Sequence, residues 1–185
     1  MKRARPWLVG GALVVAAGLL SGITPSADSL FDPFLIRGGP GDAVTSRTLV
    51  ATVAGASFAD RVVSSDGEWT AEGNWLIVEL AVSAARTEED AEIPLAALHL
   101  DGRVFHASER VPDSLLKTPL HVGTDTVGVL AFELPEGLRA GAGELRLTSE
   151  YVTPELDDVI ALALPLDAAP AAASAELPEP RIGAR

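Results

Sequence analysis

The side chains best equipped for chemistry are three histidines, one acidic run and two tryptophans. His99 and His106 flank the dipeptide Asp101-Gly102, and His121 lies further along. No H-x-H or H-E-x-x-H spacing joins them, so they do not compose a metal site and read as hairpin and loop histidines. Glu88, Glu89, Asp90 and Glu92 could interest a hard cation. They lack the alternating acidic pattern of a calcium loop, and a solvated loop is expected. Trp75 opens an alternating apolar run and is expected in the core. Trp69 stands free of such a run and is the candidate platform for a sugar. No catalytic residue, cofactor or metal ligand is assigned. Cysteine is absent, which removes disulfides, thiolate ligands, a thiol nucleophile and a lipidated cysteine. There is no G-x-S-x-G, and Gly38-Gly39-Pro40-Gly41 lacks the lysine of a phosphate loop. The expectation is a protein that is not an enzyme.

The elements that would carry these residues follow from charge and periodicity. Lys2, Arg3 and Arg5 precede a stretch without charge from Pro6 to Ala27. Its apolar heart, 7–23, would span about 25 Å as a helix, near the short end for a bilayer crossing. The signal-peptidase site at Ala27 is a poor match, because Pro25 occupies its −3 position. A transmembrane anchor over 7–24 is therefore expected in place of a cleaved signal, after a cytoplasmic basic segment at 1–6. All 26 Asp and Glu follow the span, whereas three of the 14 Lys and Arg precede it. The positive-inside rule puts the remainder outside the cytoplasm. A formal charge of −12 argues against nucleic acid as a partner.

Residues 25–46 are rich in proline and glycine and read as a juxtamembrane linker. Its patch Leu30, Phe31, Phe34, Leu35 and Ile36 is more apolar than a spacer needs, and is the candidate interface for a membrane or envelope protein. The Ala/Pro-rich segment 168–185 is expected to be disordered. Between these, residues 47–167 alternate with period two. Leu49/Ala51/Val53, Leu76/Val78/Leu80/Val82, Leu130/Phe132/Leu134, Leu145/Leu147 and Ile160/Leu162/Leu164 each share a face. Asp101-Gly102 signals a type I′ hairpin, which sets His99 opposite Val104 and Ala97 opposite His106. Seven strands and little helical pattern predict an all-β, Ig-like antiparallel β-sandwich behind one N-terminal transmembrane helix.

The run Ala71-Glu72-Gly73-Asn74-Trp75-Leu76-Ile77-Val78-Glu79-Leu80, the turn Leu100-Asp101-Gly102 and the close Phe132-Glu133-Leu134-Pro135 carry a resemblance. They are similar to the strand entry, hairpin and strand exit of a family of bacterial extracytoplasmic Ig-like domains, membrane-anchored or lipoproteins of unknown function. The architecture also resembles the immunoprotective-antigen type of sandwich. The resemblance implies a fold over roughly 47–166 and no catalytic residue. The function expected is a non-enzymatic, extracytoplasmic interaction or accessory module of an envelope or transport complex. A module for a small ligand (sugar) or Ca2+ is the alternative.

Overall fold

The computed structural model describes residues 4–23, 31–89, 91–150 and 154–183. The chain divides into two compact units, Met1–Asp32 and Pro33–Arg185. The first contains α1 (Ala4–Ile23), apolar on every side beyond Arg5 in its first turn, with no acidic residue in the first turn and no basic residue in the last. Its described side chains are Trp7 and 9–19, and the large ones among them are exposed. No helix among the described residues is long and apolar enough to cross a membrane.

The second unit is a β-sandwich. One sheet has the order β1-β9-β8-β5-β6, formed by Phe34–Gly38, Asp158–Pro165, Ala142–Thr148, Leu95–Leu100 and Arg103–His106. The other is built on β3 (Leu49–Ser64), β4 (Thr70–Ala84) and β7 (Asp125–Leu134). The strands β3 to β9 answer to the seven expected from periodicity. Their inward residues, among them Leu49, Leu76, Leu80, Leu98, Phe132, Leu145 and Leu162, form the main core between the sheets. Alternation places them there, since every second side chain of a strand points to one face. The β5–β6 turn has positive φ at both Asp101 (50°) and Gly102 (71°), as a type I′ turn requires. Its register is the expected one, with Leu100 opposite Arg103 and His99 opposite Val104.

Two boundaries differ from the sequence reading. Residues 34–38 are not linker: β1 pairs in parallel with β9, and Ile36 packs on the main core. β2 (Val44–Thr45) pairs with β3 as well. The segment after Ala168 is not disordered. β10 (Ala171–Ala172) and β11 (Ala175–Leu177) run parallel along β3, and β12 (Arg181–Gly183) pairs antiparallel with β7. Alanine and proline carry no strong strand signal of their own. Open edges of long strands supply the partners that local sequence does not.

The far end of the β3–β4 hairpin bends over the outer face of its own sheet. The register slips between Val53 and Gly55 and again between Ala59 and Arg61, and such bulges sharpen twist and bend. Trp69 and Trp75 would stand roughly 20 Å apart along a straight strand at about 3.4 Å per residue. Their ring centroids are 6.3 Å apart, edge to face. Ser65 at the hairpin tip donates its N–H to Asp113 Oδ2 at 2.7 Å. A second core forms beneath the bend from Val62, Trp75, Ile77, Val111, Val129 and Leu177. Trp75 is thus buried, as expected, but on the face of β4 that looks away from the main core.

Candidate functional site

The anticipated chemistry is dispersed. His99 and His106 share the outer face of the five-stranded sheet, where they border a shallow, mostly apolar depression of about 260 Å3 with Val104, Arg146 and Pro154. Burial holds the His99 imidazole below its usual pKa of 6.5, and the nearby Arg146 charge pushes the same way. His121 stands elsewhere, with Nδ1 3.4 Å from Glu88 Oε2. Glu88 also accepts the N–H of Val122 at 3.2 Å. These bonds hold its carboxyl below the usual range, that of Val122 first. Glu88 therefore ties down a loop. Asp90 lies outside the described residues. Among the described residues no three side chains converge as metal ligands.

Of the apolar candidates, Phe31 and Phe34 are exposed, Leu35 and Ile36 are half-buried, and Leu30 lies outside the described residues. β1 is the outermost strand of its sheet. Phe34 is 60% exposed at its start, and among the described residues no strand pairs with the far side of β1. Trp69 is half-buried and packs on the second core. Its ring is engaged by Trp75 and is not an open platform.

One polar concavity was not anticipated. It is a cleft of about 650 Å3 at the bend of the β3–β4 hairpin, lined by Asp60, Glu72, Glu133, Glu136, Arg139 and the backbone of Gly73. One wall is the bulge, where Arg61 pairs with Glu72 and Ala59 with Trp75, leaving Gly73 and Asn74 of β4 opposite Asp60 alone. Gly73 has φ +150°, which permits the kink. The other wall is the β7–β8 turn. Asn74 fixes it by donating Nδ2–H to the carbonyls of Pro135 (2.7 Å) and Leu138 (3.1 Å). Arg139 donates Nε–H to Asn74 Oδ1 at 2.7 Å and pairs with Asp60. Its guanidinium also lies over the Phe58 ring, 5.9 Å from the centroid. Arg110 pairs with Glu133 at 2.6 Å. Glu72 and Glu136 make no ion pair among the described residues, so carboxylates outnumber cations in the cleft.

Beside it lies an unsatisfied donor. Trp75 is fully buried, and its indole Nε1–H has no acceptor among the described residues. Leaving such a group unpaired costs about 1–3 kcal/mol. The cleft residues come from segments far apart in sequence, and no motif joins them. The only local signal is the glycine two residues before a strand tryptophan.

No protein-family model matches the chain, and no curated protein matches it by sequence. A solved structure is similar at the level of shape: an uncharacterised β-sandwich protein of Clostridium difficile 630. The TM-score is 0.44 at 10% identity, over 72% of this chain and 95% of that one.

Proposed function

We propose that the protein is a non-enzymatic, membrane-anchored Ig-like module that presents its sandwich outside the cytoplasm and takes a protein partner along β1. The partner would be a membrane or envelope protein, with this chain as an accessory subunit. The observation that carries the reading is the open edge of β1. An outermost strand with unpaired N–H and C=O groups is a template for a strand from another chain. Phe34 is exposed on that strand, and an exposed aromatic ring supplies the apolar anchor that interfaces favour.

Anchoring is supported by α1. A helix apolar on all sides has no stripe to offer a soluble core, and a bilayer is one of the few environments that suits it. Its backbone runs to Ile23, and the sequence stays uncharged to Ala27.

The test is a photoreactive phenylalanine analogue at position 34 of the full chain, irradiated in native membranes. A discrete protein adduct at position 34, absent with the same analogue at Val104 on β6, is expected. No adduct at position 34, or the same adduct at both positions, would remove the support for β1 as the docking edge.

A further inference from the structure

The backbone of β1 is only half engaged by β9. The N–H of Phe34 donates to the carbonyl of Asp157 at 2.8 Å. Backbone groups of a strand point alternately to its two sides. Phe34, Ile36 and Gly38 therefore turn theirs toward β9. Leu35 and Arg37 turn theirs outward, where no strand pairs with them among the described residues. Side chains alternate too, between the faces of the sheet. Ile36 packs on the main core, so Leu35 and Arg37 stand on the outer face, the one that carries His99, His106 and Arg146. The Arg37 side chain is 64% exposed there, with Nε 3.4 Å from Glu144 Oε2. Glu144 already accepts the Nε–H of Arg146 at 2.8 Å and lies 2.7 Å from its Nη2. Two guanidinium groups thus share one carboxylate, and a positive charge is left over. Among the described outward positions of these five strands Glu144 is the one acid, on a chain whose formal charge is −12.

We propose that the segment β1 takes from its partner is an acidic strand, extended and antiparallel, with a glutamate or aspartate opposite Arg37. The outward N–H and C=O groups of Leu35 and Arg37 bond its main chain. Antiparallel pairing sets one residue directly opposite Arg37 and is slightly the more stable arrangement. A carboxylate at that position gives Arg37 an ion pair of its own, whereas a lysine would meet a like charge. The flanking residues of the partner strand fall on the inner side, beside Ile36 and the exposed ring of Phe34, and are apolar. This inference rests on β1 being the docking edge and adds the chemistry of the strand that fills it.

The experiment follows the backbone 15N–1H resonances of Leu35, Ile36 and Arg37 in the full chain in detergent micelles. The probe is the capped peptide acetyl-Thr-Glu-Val-Thr-Val-amide. One control has lysine in place of glutamate, and another is the probe N-methylated at its glutamate, which removes the main-chain donor opposite Arg37. The probe is expected to move the Leu35 and Arg37 amides saturably and to leave that of Ile36, which faces β9, in place. Its affinity should exceed that of the lysine peptide by about tenfold. The net charge of the chain favours the lysine peptide in general, so a preference for glutamate reports the local face. Arg37→Gln should remove that preference and leave the fold intact, because the side chain is exposed and Glu144 keeps Arg146. Equal or tighter binding of the lysine peptide, with the same two amides moving, would overturn the acidic strand and leave β1 as the docking edge. Undiminished binding of the N-methylated probe would mean that side-chain charge alone makes the contact, and would overturn the strand pairing. No saturable movement of the two amides with either unmethylated peptide at about 10 mM would overturn the inference together with the docking edge.

Discussion

Asn74 shows how one side chain can set the geometry of a site it does not dominate. It is 8% exposed, and its amide joins the bend of β4 to two carbonyls of the next turn and to Arg139. A leucine of similar size would leave those carbonyls without donors. His99 has a different consequence, one that depends on pH. Burial, reinforced by Arg146 and His106 and opposed by Glu144, holds its folded-state pKa below the 6.5 of an unfolded histidine. The unfolded chain therefore binds more protons in the window below 6.5. This contribution to stability is complete above that value and is lost as pH falls through 6.5 toward the folded pKa. Urea midpoints taken from about pH 7.5 down to about pH 5 should decline, and His99→Gln should flatten that decline. An unchanged slope in the variant would assign the loss to other groups.

Among the elements, the C-terminal segment decides the fate of the second core. β11 and β12 connect the bent hairpin to β7, and Leu177 is fully buried between them. Leu177→Ala should cost about 2–5 kcal/mol, the usual range for a buried leucine. Removing residues 171–185 should release the hairpin tip while the main core persists, since that core draws on the chain only as far as Ala169. Tryptophan emission should move to the red and near-UV circular dichroism should weaken, with far-UV strand signal largely kept. Loss of all structure would mean that the two cores fold as one unit. These elements also mark how far the sequence could be read. Asp101-Gly102 fixed a hairpin to the residue, because two left-handed positions in succession admit one turn and one register. The inward phase of β4 was equally plain from Leu76, Val78 and Leu80. The burial of Trp75 was legible but its face was not: the covering residues Val111 and Leu177 come from distant segments. The strands after Pro170 were hidden because their order is borrowed from the edges of β3 and β7. The acidic cleft was hidden because it is a product of register, joining Asp60 to Glu133 through a bulge.

At the scale of the whole molecule, an apolar helix precedes a sandwich, and every Asp and Glu in the sequence follows that helix. If α1 is the anchor, the full chain should stay with membranes through alkaline carbonate washing, and a chain lacking residues 1–32 should be released in soluble form. Release of the full-length chain would favour a cleaved signal or a peripheral attachment. The parallel pairing of β1 with β9 acquires a meaning here beyond recognition. Five residues, Phe34 to Gly38, are in register with Asp158 to Leu162. A tug on the chain ahead of Pro33, directed along β1, acts on all five pairs at once. The strand must slide as a whole, whereas a hairpin arm pulled from its open end comes apart one pair at a time. The junction is thus a joint in shear: tension arriving through the N-terminal segment passes into the sandwich before it peels the first strand away.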